Sequence, residues 1–284
     1  MRLVTYELDG AVACGVLVGD GIVPMPDDSV RAILERGPDH WAALAASAEA
    51  RAGEAVAVDD VRLLAPIPDP DKILCIGLNY RDHAEETGTP EPPAPIVFAK
   101  FRNSLAGPAD PIVLPEASQA VDYEAELAVV IGRRCRNVDV GAALDFVAGA
   151  MAFNDVSARD LQMQTSQWTM GKAIDTFAPC GPALVFMDEI DDLQVLRVET
   201  RVNGETVQSG STASMIFTVA EIIAFISSVM TLEPGDIIAT GTPAGVGFTR
   251  TPPLLVAPDD LVEIEIENVG LLANPVVARV ALRR

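Results

Sequence analysis

Short apolar runs divided by turn residues set the pattern of the chain. In the first 65 residues LVTYEL, ACGVLV and GIVPM read as strands. They are punctuated by Asp9-Gly10 and by the Gly-Asp-Gly at 19–21. SVRAILERG and HWAALAASAEARAG follow with helical spacing, each stopped by a glycine. APIPDPDK, residues 65–72, then places three prolines in eight residues and predicts a linker. The expected division is a small N-terminal α+β domain over 1–65 and a larger domain over 66–284.

From residue 72 the pattern is β-rich. KILCIGL, IVFAK, PALVFM, QVLRVETRVNG, DIIATGT, LVEIEIENVG and VVARVAL predict strands, and ALDFVAGAMAFN extends the apolar segments. YRDHAEETG predicts a short helical turn, VSARDLQMQ a helix and AEIIAFISSVM an amphipathic helix. TPEPPAP fits neither a helix nor a sheet interior, because proline removes donors and fixes φ. Strands and helices do not alternate regularly, which disfavours a doubly wound or barrel α/β fold and leaves a β-rich α+β class.

Apolar residues make up 49 % of the 284, enough for a substantial core. No apolar run approaches the roughly 20 residues of a membrane helix. The opening MRLVTYELDGAV carries charge and lacks the apolar stretch of a signal peptide, so a cytoplasmic protein is expected. Twenty basic against 41 acidic residues give a net charge of −21. That disfavours nucleic acids and anionic membranes as partners, but not an anionic small molecule in a locally cationic pocket. Cys14, Cys75, Cys135 and Cys180 lack metal-site spacing and are expected to be buried thiols.

The stretch VDYEAELAVVIG, 121–132, raises the chemical question. Its second half is a strand core, yet Asp122, Glu124 and Glu126 fall at every second position of its first half. On a continuous strand the three carboxylates share one face and repel. Asp155, in FNDVSARDLQ, adds a fourth acid where an apolar run ends. Taken singly, the strand acids could face water and Asp155 could cap a helix. Together, Glu124, Glu126 and Asp155 suit a hard divalent cation, Mg²⁺ by default and Mn²⁺ next, with Asp122 behind them or solvated.

Asp155, Arg159 and Gln162 are spaced i, i+4, i+7, one stripe of the expected helix. Arg159 would then suit a substrate carboxylate, its alternative being a surface ion pair with Asp155 or Asp160. His83 and Glu86 lie three apart in the short turn before TPEPPAP. A carboxylate beside an imidazole makes a general base, and the placement suggests a lid. The ordinary alternative is a solvated pair. His40 is expected as a capping or surface residue of the front domain. Lys172 is placed on a loop by its neighbouring glycine and prolines. TGTPAGVG, 240–247, lacks the P-loop Lys-Ser/Thr and reads as a turn whose N–H groups, with the Thr242 hydroxyl, face an anion.

IGLNYRDHAEETG, PIVLP, DYEAELAVVIG, FNDVSARDLQ, GKAIDTFAPCGP, VNGE, LEPGDIIATGTPAGVG and EIENVGLLANPV resemble, in order, the blocks of the fumarylacetoacetate hydrolase family. The resemblance covers roughly 66–284. It implies a mixed β-sandwich roll of that family's C-terminal type and a homodimer. It also implies Mg²⁺ or Mn²⁺ on Glu124, Glu126 and Asp155, and a water-activating lid pair of His83 and Glu86. Arg159, Gln162, Lys172 and Thr242 would contact a 2-oxo or diketo acid. Within QSGSTASMIF, Ser211, Ala213 and Ser214 depart from the family's usual Asn, Ser and Asp, which bears on substrate choice. The leading expectation is metal-dependent hydrolysis of a C–C bond in an acylpyruvate-like diketo acid, with Lys172 stabilising the oxyanion. The alternatives are oxaloacetate-type decarboxylation, hydroxymuconate-type isomerisation or decarboxylation, and, in another class, a non-catalytic metal- and anion-binding protein.

Overall fold

The computed structural model describes residues 1–27 and 29–279. A twelve-stranded mixed sheet carries, in spatial order, Val56–Ala57, Gly21–Pro24, Ala11–Val18, Arg2–Leu8, Ala178–Phe186, Val147–Asn154, Ala125–Ile131, Ile237–Ala239, Ile73–Gly77 and Ile96–Lys100. Two short strands, Arg62–Leu63 and Leu105–Ala106, pair onto its middle. A five-stranded sheet runs Glu205–Ser211, Arg197–Val202, Leu261–Ile266, Gly270–Ala278 and Ile112–Leu114. With few helices, this is the β-rich α+β class.

Ala125–Ile131 is buried at every position. Leu127, Val129 and Ile131 pack with Val198, Ile264 and Leu272 of the smaller sheet. Ala128 and Val130 turn the other way and join the cluster of Val30, Ile33 and Leu34 from the front segment. A strand covered on both faces needs a continuous apolar run, which is why this one does not alternate. The front segment is part of the same sheet: Arg2 and Leu3 pair antiparallel with Val185 and Leu184.

The proline stretch of the expected linker is packed at its start: Ala65, Pro66 and Ile67 are buried, and Thr5 Oγ1 donates to Pro66 O at 2.8 Å. Two local expectations change. The helix over VSARDLQMQ shrinks to Arg159–Gln162, because Ser157–Ala158 pair as a short strand with Val121–Asp122. ALDFVAG opens as a 3₁₀ turn over Val140–Phe146 before the strand begins at Val147. Of VVARVAL, residues 280–282 lie outside the described residues. AEIIAFISSVM forms Val219–Val229, begun by a capping box of Thr218 and Glu221, and buries Ile222, Ile223 and Ile226. Among the described residues no helix is long and apolar enough to cross a membrane.

Candidate active site

The acidic stretch is not one strand. Pairing breaks at 123–124, between Val121–Asp122 and Ala125–Ile131. The break is held open by Asn154 and Asp155: Glu124 N donates to Asn154 Oδ1 at 3.1 Å, and Asp155 N to Glu124 O at 2.9 Å. Those bonds bring the ends of two neighbouring strands together. Oxygens of Glu124, Glu126 and Asp155 come within 4.8 Å of one another, and all three side chains are buried.

Asp122 leaves this group. It is wholly buried rather than solvated, and accepts from Arg159 Nε at 2.6 Å and from Phe248 N at 2.9 Å. Arg159 in turn lies 2.6 Å from Glu124 Oε1 through Nη2, donates to Gln162 Oε1 at 3.1 Å, and covers the Phe248 ring at 4.3 Å. It is therefore neither on a helical stripe with Asp155 nor at the surface, and Asp160 pairs instead with Ser118 Oγ at 2.6 Å. Lys172 ends the helical turn Thr169–Lys172 and is buried, not on an open loop. Its ammonium donates to Glu124 Oε2 at 2.8 Å and Asp155 Oδ2 at 2.7 Å.

Four buried carboxylates thus meet three buried cations: Asp122, Glu124, Glu126 and Asp155 against Lys100, Lys172 and Arg159. Burial alone would raise Glu124, but Lys172 and Arg159 overcome it and hold this carboxyl far below its ordinary range. Burial likewise disfavours charged Lys172, and Asp155 and Glu124 reverse that, raising its pKa. Glu126 is the exception. Its hydrogen bond comes from Gly241 N at 2.8 Å, and no cationic side chain pairs with it among the described residues. Burial, then the Asp155 and Glu124 charges, push its carboxyl well above the usual range. An all-oxygen triad with one carboxylate lacking a counter-charge fits a hard divalent cation.

The turn TGTPAGVG does face anions, and they are the protein's own carboxylates. Gly241 N reaches Glu126 and Gly245 N reaches Glu86 Oε1 at 3.0 Å, and just past the turn Phe248 N reaches Asp122. Gly241 and Gly245 hold φ of 100° and 102°, open to glycine and strained for other residues. Thr242 Oγ1 accepts from Gln208 Nε2 at 2.9 Å, which leaves its own proton to donate elsewhere.

His83 sits on the helix Arg81–Thr87, closed by Gly88 in the left-handed conformation. Its Nδ1 lies 3.2 Å from Glu86 Oε2. His83, Glu124, Glu126, Arg159, Gln162, Lys172 and Thr242 all line one cavity of about 320 Å³. Its other walls are mostly apolar, Ile76, Leu78, Ile96, Phe98, Trp168 and Phe248 among them, with Thr87 and Thr89 adding hydroxyls. Glu86 and Asp155 stand behind the lining. His40 is remote, in the helix Pro38–Ala50, with Nε2 3.3 Å from Asp27 Oδ1. Ser211, Ala213 and Ser214 do not line the cavity; Ser211 Oγ caps the turn Thr212–Ser214. All four cysteines are buried, and none forms a disulfide among the described residues.

Two site residues escaped the sequence reading. Lys100 ends the strand Ile96–Lys100 wholly buried, paired with Asp155 and donating to Val156 O at 3.1 Å. A lysine closing an apolar strand, in a chain with three lysines, was the available signal. Gln208 fastens Ala125 N, Thr200 and Thr242 together from the smaller sheet; it opens the block QSGSTASMIF, where attention fell on Ser211, Ala213 and Ser214 instead.

The family model described as fumarylacetoacetate (FAA) hydrolase, C-terminal, matches residues 72–277, and one described as Rv2993c-like, N-terminal, matches 1–66. The chain is 50 % identical over 220 residues to a Xenopus laevis protein named oxaloacetate tautomerase fahd2, mitochondrial, covering 77 % of this chain and 69 % of that one. A fumarylacetoacetate hydrolase structure from Exiguobacterium antarcticum superposes with a TM-score of 0.87 at 39 % identity, covering 98 % and 100 % of the two chains. A Mycobacterium marinum structure titled 2-hydroxyhepta-2,4-diene-1,7-dioate isomerase gives 0.77 at 36 % identity, over 98 % and 99 %. The acid-lined cavity thus lies in the segment matched by the family model, and the chain belongs to the fumarylacetoacetate hydrolase family.

Proposed function

We propose that this enzyme moves a proton between the keto and enol forms of a short 2-oxo diacid of the oxaloacetate class. The observation that carries the reading is a single cavity of about 320 Å³ lined by Glu124 and Glu126 of the carboxylate triad and by His83, with Asp155 and Glu86 behind them. That volume lies at the low end of the roughly 300–1,000 Å³ of ligand sites, which favours a short substrate. The tautomerase name of the Xenopus relative points the same way.

Glu86 on Nδ1 fixes the imidazole so that Nε2 of His83 is the basic nitrogen. In the keto-to-enol direction Nε2 takes the proton from C3, and the C2 oxygen gains one; ketonisation is the reverse. Arg159 and Lys172 supply positive charge beside the substrate carboxylates, and the Thr242 hydroxyl donates to an oxygen. Glu124, Glu126 and Asp155 would hold Mg²⁺ or Mn²⁺, which would supply Lewis-acid polarisation of the 2-oxo acid. Removing a C3 proton and removing a C4 carboxylate both leave an enolate, so decarboxylation would be a side reaction of the same site.

Hydrolysis of an acylpyruvate stands second, because the His83–Glu86 pair can also deprotonate water. The test follows enol absorbance and pyruvate release in parallel, with enol oxaloacetate and acetylpyruvate, with and without Mg²⁺. Faster loss of the oxaloacetate enol without pyruvate is expected. Cleavage of acetylpyruvate with oxaloacetate untouched would establish hydrolysis instead, and no turnover of either would favour a binding protein. The homodimer implied by the family resemblance belongs to this reading; a solution mass of one chain in equilibrium sedimentation would count against it.

A further inference from the structure

At the apolar end of the cavity the backbone and an indole are fitted to each other. A Cβ built on Gly77 would meet Trp168 Cζ3 at 2.5 Å and Cη2 at 2.9 Å. Gly77 ends the strand Ile73–Gly77, which is paired on both sides by Ile237–Ala239 and Ile96–Lys100, so the wall behind the ring is rigid. The other side of the indole stands edge-on to Phe98, with ring centres 5.3 Å apart and planes at 71°. Phe98 in turn lies 5.2 Å beneath the Lys172 ammonium. A line therefore runs from the carboxylates through Lys172 and Phe98 to Trp168, and all three rungs line the cavity.

Trp168 also precedes the turn that carries Lys172, since its carbonyl accepts from Gly171 N at 2.9 Å and Lys172 N at 3.1 Å. Those contacts use its backbone. Its side chain is needed for none of them and is only half-buried, within an exposed stretch from Met163 to Met170. The indole is thus a wall of the cavity rather than a strut of the fold.

We infer that Trp168, seated on the bare backbone of Gly77 and on Phe98, sets the longest chain the site accepts beyond the 2-oxo acid group. The inference deepens the function proposed above by naming what selects a short substrate. A substrate anchored at Lys172 and Arg159 directs its distal end along the apolar wall, where the ring stops it within about two aromatic spacings. Replacing the indole by a methyl group opens that end. Adding a methyl group at Gly77 forces the ring toward the cavity instead.

The test measures kcat/KM for acetyl-, butanoyl- and hexanoylpyruvate by loss of enol absorbance, a signal that falls whether the enol is ketonised or cleaved. Trp168→Ala is expected to raise the hexanoyl-to-acetyl ratio by at least about 10-fold, since one methylene in a fitted pocket is worth about 10–200-fold. Gly77→Ala is expected to lower that ratio, and adding Trp168→Phe to Gly77→Ala to restore it. Circular dichroism melting of each variant shows that the fold persists, and the half-exposed Trp168→Ala carries the test should Gly77→Ala not fold. An unchanged chain-length profile in Trp168→Ala, or no gain on any of these acids in Trp168→Ala while both proteins turn over enol oxaloacetate, overturns the inference while leaving the proposed chemistry standing. Wild-type enzyme inert toward all enols, oxaloacetate included, would instead overturn both.

Discussion

Replacing His83 by alanine is expected to lower kcat by roughly 10²–10⁴, the span for losing a general base, while cation binding changes little. The expectation comes from position. His83 lines the cavity while its partner Glu86 stands behind it, and Glu86 is itself fixed by Gly245 N at 3.0 Å. The imidazole makes no hydrogen bond to Glu124, Glu126 or Asp155 among the described residues, so truncating it leaves the triad's own bonds intact. Glu86→Gln should cost less than His83→Ala, because the imidazole stays, although the single amide oxygen can accept from Nδ1 or from Gly245 N but not both and no longer stabilises an imidazolium. Both proton transfer at C3 and attack by water lose their base in His83→Ala. Decarboxylation of oxaloacetate requires no base and should keep most of its rate. If His83→Ala turns over enols at the wild-type rate, the pair is not the base, whichever substrate is used.

How much of this site was legible in the sequence differs from residue to residue. Glu124, Glu126 and Asp155 could be grouped because repeated acids before a buried strand ask for a counter-charge. The physical reason found in the structure is different from same-face spacing. The strand is broken at 123–124, Asp122 is turned away to Arg159, and the remaining acids meet because Asn154 and Asp155 hold Glu124 from the neighbouring strand. The helical stripe from Asp155 through Arg159 to Gln162 fails for a related reason. Residues 157–158 spend their backbone groups pairing with 121–122, an interaction across 36 residues that no local window contains. Arg159 and Gln162 reach the cavity all the same, by the four-residue turn that follows.

Long-range pairing also explains what was missed. Lys100 and Gln208 act through Asp155 and Thr242, partners distant in sequence. Their own surroundings read as ordinary strand. The strands of the front segment were legible one by one, since each carries its own turn signals. Their union with the large sheet through Arg2–Leu8 and Ala178–Phe186 was not, because register between distant strands is set by which faces are buried. The apolar strand Ala125–Ile131 could not tell its two covers apart for the same reason.

Glu126→Gln is expected to abolish stabilisation by Mg²⁺ or Mn²⁺ and metal-dependent turnover, with the cation-free protein as stable as wild type or more so. The amide keeps an oxygen for the Gly241 N–H and nearly the same shape, so packing is preserved. What it removes is a buried carboxylate with which no cationic side chain pairs directly among the described residues. The loss of cation affinity should exceed the roughly 10–100-fold that removing an outer-shell partner costs, because a ligand itself is lost. The sign with pH follows from linkage. In the folded chain burial and the neighbouring Asp155 and Glu124 raise the Glu126 carboxyl above its unfolded value. Its contribution to stability is therefore intact at pH below the unfolded pKa and is lost as pH rises through the folded one. A divalent cation offsets that loss and must displace the proton to bind. The gain in melting temperature on adding Mg²⁺ to wild type should thus be small while the Glu126 carboxyl keeps its proton and grow as pH rises through its raised folded-state pKa. In Glu126→Gln it should be absent throughout. A pH-independent gain, or one that survives in Glu126→Gln, would place the cation elsewhere than this triad.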